Sequence, residues 1–105
     1  MTAEEVLAEA ARRIEVPGRW WHKGETGGSE EAECMWLACS HQLRDGAEIS
    51  HLLYGPQAPV REAILKEIGA VPLSYTLEPI YQWNDAPGRT VEEVATVLRN
   101  AKRWL

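Results

Sequence analysis

The sequence predicts an all-α fold, a small bundle of five or six helices with one long loop that contains Trp and Gly. Apolar residues recur at helical spacing along most of the chain, and no stretch of useful length alternates as a strand would. Two segments also begin with the capping-box pattern that starts helices. With 105 residues there is material for one hydrophobic core. We therefore expect residues 1–105 to form a single helical domain.

The first and last helices have the clearest start signals. Thr2-Ala3-Glu4-Glu5 is a capping box and precedes apolar residues at helical spacing, which predicts a helix over about residues 3 to 15. Thr90-Val91-Glu92-Glu93 is a second capping box and predicts a helix over about residues 91 to 101. We expect these two helices and the second helix to form the main core.

A long loop and a second helix follow the first. Pro17-Gly18 ends the first helix, and the segment VPGRWWHKGETGG has no consistent period. Ser29 is expected to start a helix over about residues 30 to 45, which Gly46 closes. Its broad apolar surface makes it the expected central helix of the core. The residues on its apolar side are Ala32, Met35, Trp36, Cys39 and Leu43.

Three shorter helices are expected between the second and the last. Residues 47–54 can form about two turns before Gly55-Pro56, and the segment PVREAILKEIGA has helical spacing up to Gly69. Thr76 is placed to cap a short helix over about residues 77 to 84. Pro79 would then lie in its first turn, where the missing N–H has no cost.

Charge and composition exclude several classes of function. Eleven Lys and Arg against sixteen Asp and Glu give a net charge of -5, so we do not expect nucleic-acid binding. The basic cluster of Arg99, Lys102 and Arg103 lies where a helix end favours cations. No apolar run is long enough to cross a bilayer, and no signal peptide is recognised. We expect a cytoplasmic protein, with Cys34 and Cys39 as free thiols.

The segment WNDAPGRT has two interpretations. In the structural one, Asn84 and Asp85 end the short helix, Pro87-Gly88 forms a type II turn and Arg89 pairs with Asp85. Trp83 then fixes this corner to the core. In the functional one, Asn84, Asp85 and Arg89 form a polar cluster that holds a ligand, since polar residues on loops often carry function.

This segment also carries a resemblance. WNDAPGRT followed by VEEVATVLRNA is similar to the C-terminal signature of an uncharacterised family of small bacterial and phage proteins, a domain of unknown function. The resemblance covers about residues 80 to 101 of the 105. The layout of the preceding helices, with a tryptophan-containing loop and a cysteine in the second helix, resembles the family too. The resemblance implies a helical fold and a location in the cytoplasm of a bacterium or of a phage-infected host cell. It brings no activity, cofactor or catalytic residue with it.

The aromatic residues are the other anomaly. The chain has five Trp and no Phe, and two of the five are adjacent in the predicted loop, in the sequence Arg19-Trp20-Trp21-His22-Lys23. Two adjacent side chains in an irregular segment seldom both reach the core. An exposed Trp beside Arg is typical of a protein-binding surface, so we predict these five residues as partner-binding. The alternative, that one Trp folds back over the helices, is equally open.

No motif for catalysis, metal or cofactor binding is present. The His and Cys residues form no pair at ligand spacing, so no metal site is expected. There is no nucleophile elbow, and we do not expect an enzyme. The Gly-rich segment before Ser29 lacks a Gly-Lys-Ser/Thr pattern and has Glu30 and Glu31 after it, so we interpret it as a hinge and expect no cofactor.

Three functional hypotheses follow. The first is a small interaction module that binds a protein partner through residues 19–23 and the corner at Trp83 to Arg89. The second, based on size, acidity and the phage members of the family, is an inhibitor of a host defence complex of the anti-CRISPR kind. It requires an exposed acidic face formed by Glu30, Glu31, Glu33 and Glu48. The third is a small ligand-binding domain or enzyme that uses Asn84, Asp85 and Arg89. Trp104 is assigned to the surface of the first helix or to a homodimer contact.

Overall fold

The chain folds into helices joined by short turns, as a computed structural model describes it for residues 1–20, 32–70 and 77–105. Over these residues there are six α-helices and a C-terminal 3-10 turn, and the one β-type feature is an isolated bridge between Trp20 and Glu33. The predicted all-α fold is confirmed. The helices are α1 (Ala3–Ile14), α2 (Met35–Arg44), α3 (Ser50–Leu53), α4 (Pro59–Glu67), α5 (Glu78–Asn84) and α6 (Val91–Asn100), and the 3-10 turn is Ala101–Trp104.

The core forms around α1. This helix has its most extensive contacts with α6 and α2, and it also touches α4 and the 3-10 turn. The prediction that α2 is the central helix is therefore wrong, although α1, α2 and α6 do form the main core. The reason is that α1 has a stripe of small and branched residues, which lets helices approach from several sides. That stripe, buried to within 1% exposure, consists of Val6, Leu7, Ala10, Ala11 and Ile14.

Both capping boxes form as predicted. The Thr2 hydroxyl accepts from the Glu5 N–H at 3.2 Å, and the Glu5 carboxylate accepts from the Thr2 N–H at 2.9 Å. The same reciprocal pair joins Thr90 and Glu93 at the start of α6. Each box satisfies backbone donors that the first turn of a helix leaves without a partner. The predicted bounds of α1 and α6 hold to within one residue.

The predicted start of α2 is wrong. The helix begins at Met35, and Cys34 is its N-cap, with Sγ accepting the Leu37 N–H at 3.4 Å. Glu33 is extended rather than helical, because its N–H donates to Arg19 O at 2.5 Å in the bridge. The proposed cap Ser29 lies outside the described residues. The predicted end is confirmed, since Gly46 has φ +101° and donates to Leu43 O.

The shorter helices agree in part. The segment predicted as a helix over 47–54 is helical only at Ser50–Leu53, because Ile49 enters the core in a non-helical conformation. Helix α4 matches its prediction, and Gly69 ends it with φ +76°. Helix α5 begins at Glu78 without a side-chain cap, and the predicted cap Thr76 lies outside the described residues.

The length of the helices and the ion pairs at the C-terminus are the last two features of the fold. Among the residues described, no helix combines the length and the apolar character needed to cross a membrane. The basic residues at the C-terminus are paired with acidic residues of other helices: Arg99 with Glu15, Arg103 with Glu67, and Lys102 with Glu4 at 3.9 Å. These contacts tie α6 and the 3-10 turn to α1 and α4, a role beyond the favourable position at a helix end that the sequence predicts for the basic cluster.

Candidate functional site

Two turns of the same sequence position the polar residues of the candidate site. Val16-Pro17-Gly18-Arg19 and Ala86-Pro87-Gly88-Arg89 each carry Pro and Gly at the two central positions, and the N–H of each Arg donates to the residue three positions earlier at 3.0 Å. The glycines have φ +82° and +79°, as a type II turn requires. The predicted turn at Pro87-Gly88 is confirmed. Each turn presents an arginine directly after an α-helix has ended.

Arg19 of the first turn reaches a buried carboxylate. Glu33 has no exposed surface, and its two oxygens accept from the Arg13 guanidinium at 2.8 and 3.1 Å. Arg19 Nη2 donates to the same carboxylate at 3.0 Å, and His41 Nδ1 lies 2.7 Å from Oε2. Arg13 donates further to Asp45 at 2.6 Å. We call these five residues the Glu33 cluster.

The electrostatics of this cluster favour its charged form. Burial by itself raises the pKa of Glu33, but hydrogen bonds from Arg13, Arg19 and His41 outweigh it, so the pKa lies below its ordinary value. Arg13 shows the opposite balance. Burial lowers its pKa, and its bonds to Glu33 and Asp45 raise it by more, so Arg13 stays charged. Glu33 and Arg13 thus form an ion pair at neutral pH, and the cluster around them ties together the segments on either side of residues 21–31.

Asn84 joins three parts of the chain. Its side chain has no exposed surface, and Oδ1 accepts from Trp20 Nε1 at 2.8 Å and from the Met35 N–H at 3.1 Å. Its Nδ2 donates to Asp85 Oδ1 at 3.0 Å. Because the Met35 N–H belongs to the first turn of α2, one amide oxygen holds the end of α5, the start of α2 and the first tryptophan of the loop.

Arg89 of the second turn lies over an aromatic ring. Its guanidinium carbon is 3.7 Å from the centroid of the half-buried Trp83 ring, a cation–π contact. Nε donates to Trp83 O at 2.8 Å and Nη1 to Glu93 at 3.1 Å. The predicted pairing of Arg89 with Asp85 is therefore replaced by bonds to Trp83 and Glu93. The stack covers the ring on one side and fixes the orientation of the arginine.

The structure brings two of the predicted regions together. Trp20 of the loop contacts Asn84 of the corner, so Arg19 and Trp20 lie beside the segment that runs from Trp83 to Arg89. Trp20 is half-buried, which agrees with a ring folded back against the helices. Asn84 faces the interior rather than the surface. The other predicted partner-binding residues, Trp21, His22 and Lys23, lie outside the described residues, as do the Gly-rich hinge, Glu30 and Glu31.

The remaining tryptophans differ in exposure. Trp36 is buried, as predicted, and meets the ring of Tyr54 edge to face with centroids 5.9 Å apart. Trp104 is 47% exposed, and its Nε1 donates to Glu67 at the end of α4 at 2.9 Å. The inhibitor hypothesis requires Glu33 to lie on an exposed acidic face. That prediction is wrong, because Glu33 is buried in its cluster, whereas Glu48 is exposed.

A polar depression lies beside the Glu33 cluster. It has a volume of about 550 Å³ and is formed by the end of α1, the turn at Arg19 and the end of α2. Nothing in the spacing of the sequence predicts it, because its parts come from three separated segments. The one available signal is a carboxylate, Glu33, next to an apolar run that starts at Cys34. The charged residues around the depression are Glu9, Arg12, Arg13, Arg19, Arg44 and Asp45.

Thiol and metal chemistry have no support among the residues described. Cys34 and Cys39 are both free and buried, and burial raises the pKa of each thiol. Such thiols are poor nucleophiles at neutral pH. No group of three His, Cys, Asp or Glu side chains in the described part of the chain is arranged to hold a metal ion.

The fold and site define a small all-α protein whose polar residues are tied into internal networks at one corner of the bundle. A family model described as a family of unknown function, DUF6197, matches residues 1–103, so the chain belongs to that family. The match includes the Glu33 cluster, Asn84 and both Pro-Gly-Arg turns. No curated protein and no solved structure matched the chain.

Proposed function

We propose that the protein is a small interaction module that binds a protein partner through a surface formed by Arg19, Trp20 and the corner Trp83 to Arg89. The observation that carries the proposal is the hydrogen bond from Trp20 Nε1 to Asn84 Oδ1. It joins two separated segments, each with Trp and Arg, into one continuous region of the molecule.

The composition of this region supports binding. Trp and Arg are the residues most enriched among those that dominate the free energy of protein association. Trp83 and Arg89 are both partly exposed, and each keeps contact area for a partner. Exposed Pro87 and Gly88 form the tip of the turn beside them.

The corner is also rigid before any partner arrives. Gly88 is fixed in the type II turn, Arg89 is held by three contacts, and the Thr90 capping box follows immediately. A surface that is ordered in the free protein loses little conformational entropy on binding. The corner therefore suits recognition by preformed shape.

Photo-crosslinking tests the proposal directly. A photoreactive amino acid replaces Pro87 at the tip of the corner, and in a matched control it replaces the exposed Lys102 beyond the other end of α6. Both proteins are irradiated in cells of the native host. We expect a discrete adduct of one mass from the corner position and none of that mass from the control. Adducts of equal pattern at both positions would contradict the proposal.

Affinity measurements on the captured partner provide the second step. Arg89→Ala should weaken binding of the purified partner by about tenfold or more, because the guanidinium is part of the proposed surface. Arg99→Ala, which removes an arginine paired with Glu15 elsewhere, should leave affinity unchanged. Trp20 is unsuited to this test, since its replacement also removes a bond to buried Asn84. Equal affinity of wild type and Arg89→Ala would refute the assignment.

A further inference from the structure

The depression beside the Glu33 cluster is a concentration of arginines in an acidic protein. Among the described residues, four arginines line it together with the carboxylates of Glu9 and Asp45, and the carboxylate of Glu33 lies buried beside it, in a chain whose net charge is -5. The volume of the depression, about 550 Å³, lies within the range of small-molecule sites. Positive charge inside a concave surface attracts anions from solution.

Two of the arginines are held in place from below. Glu33 is completely buried and bonds both Arg13 and Arg19, so these guanidiniums are ordered without any ligand. Preordered guanidinium groups suit the recognition of carboxylate and phosphate, whose oxygens match the fork of N–H donors. Arg19 Nε has no acceptor among the residues that the structure describes.

The carboxylates at the rim are held differently from Glu33. Asp45 is 52% exposed and pairs with Arg13, which is 12% exposed, whereas Glu9 is 30% exposed and pairs with Arg12, which is 67% exposed. Exposed ion pairs contribute little to stability, typically below about 1 kcal/mol. An incoming anion can therefore take the place of Glu9 on the exposed Arg12 at low cost, and on the largely buried Arg13 it replaces one anionic partner, Asp45, with another. The two arginines that would exchange partners, Arg12 and Arg13, are consecutive residues in the last turn of α1.

We infer that the depression binds a small ligand with two or more negatively charged oxygen groups, either phosphates or carboxylates, which replace Asp45 on Arg13 and Glu9 on Arg12. Arg44 adds a further cation at the rim. The depression shares Arg19 with the proposed partner surface, but Arg12, Arg44, Glu9 and Asp45 play no part in that surface. Variants at these four positions therefore test the depression and leave the partner surface unchanged.

Titration with two probes tests the inference. Pyrophosphate and succinate are added separately at constant ionic strength, and binding is followed through the Arg side-chain Nε–Hε signals by NMR and by calorimetry. We expect saturable binding of one ligand per chain by at least one probe. Binding of pyrophosphate alone assigns the site to phosphate ligands, binding of succinate alone assigns it to carboxylates, and binding of both supports the shared chemistry.

Variants that are expected to change the affinity for the probes in opposite directions strengthen the test. Arg12→Gln and Arg44→Gln should each weaken binding by up to about fivefold, since each removes one partly exposed charge. Asp45→Asn should strengthen binding by a similar factor, because it removes the carboxylate that competes for Arg13. Arg103→Gln makes the same charge change as Arg12→Gln beside Glu67, away from the depression, and should have no effect.

Three results would overturn the inference. The first is no saturable binding of either probe up to tens of millimolar, an order of magnitude above the usual range for metabolite sites. The second is a loss of affinity in Arg103→Gln as large as in Arg12→Gln, which would indicate a general response to net charge. The third is weaker binding in Asp45→Asn.

Discussion

Glu33 shows how one buried charge can be stable in a small protein. A lone carboxylate without exposed surface would be very costly, and such groups are found ionised only where cations and hydrogen-bond donors surround them. Here Arg13 binds both oxygens, and Arg19 and His41 complete the set. Removing the charge should therefore leave two guanidiniums near an uncharged group inside the fold.

Glu33→Gln should lower the free energy of unfolding at pH 7 by about 3 kcal/mol, as is usual when one partner of a buried ion pair is removed. The pKa of Glu33 is lowered from its ordinary value of 4.5. Between the pKa of the folded state and pH 4.5, the unfolded chain therefore binds more protons than the folded chain. The stability due to Glu33 is thus present above about pH 4.5 and is lost as pH falls through the folded-state pKa. Urea unfolding at several pH values measures both quantities.

The difference between wild type and Glu33→Gln isolates this residue from other carboxylates whose pKa values are also lowered, such as Glu9 and Asp45. That difference should be largest near neutral pH and shrink below pH 4.5. Glu48→Gln, at an exposed position, should differ little from wild type at any pH. A difference that stays constant from neutral pH into strongly acidic pH would contradict the prediction.

At the scale of elements, the sequence predicts what local chemistry decides. Thr2 and Thr90 start helices because their partners lie three residues away, and the Pro87-Gly88 turn depends only on two backbone conformations. The start of α2 could not be predicted in the same way. Cys34 is an unusual cap, and Glu33 is drawn out of the helix by Arg13 and Arg19, which lie 20 and 14 residues earlier.

The candidate site likewise has one part that local chemistry predicts and one part that depends on distant residues. The corner residues were recognised from turn chemistry and from the aromatic composition, whereas the joining of Trp20 to Asn84 spans 64 positions and leaves no local pattern. The two residues meet because Trp20 is bridged to Glu33, just before α2, and α5 packs against α2. No local pattern predicts the polar depression either, because its residues come from three separated segments.

Asn84→Ala tests whether the hydrogen bonds from Trp20 and Met35 to Asn84 hold the elements together. The change leaves the buried Met35 N–H without its acceptor and removes the hydrogen bond from Trp20 Nε1, so we expect the free energy of unfolding to fall by about 2 to 3 kcal/mol. Asn100→Ala makes the same substitution at a half-exposed position and should change it by no more than about 0.5 kcal/mol. Urea unfolding followed by circular dichroism compares them. Equally small effects of the two variants would show that the hydrogen bonds to Asn84 contribute nothing to the free energy of unfolding.

At the scale of the whole molecule, the core and the polar networks protect the same region. Cys34 and Cys39 lie in the core cluster with 1% and 0% exposure, and α1 covers α2 along much of its length. The segment that precedes Cys34 is tied by the Trp20–Glu33 bridge, the Glu33 cluster and Asn84. Exposing either thiol therefore requires these contacts to separate together, which is the behaviour of one cooperative unit.

Thiol labelling measures this cooperativity. Because both thiols are buried and burial raises the pKa of each, we expect neither to react with iodoacetamide at pH 8 on the timescale in which free cysteine is fully labelled. Peptide mass spectrometry should show both thiols labelled at one rate, and this rate should rise with urea as global unfolding does. In Asn84→Ala the start of α2 loses its tie, so Cys34 should react before Cys39. Faster labelling of Cys34 in the wild type would instead show that α2 opens locally and that its polar ties do not hold it to the core.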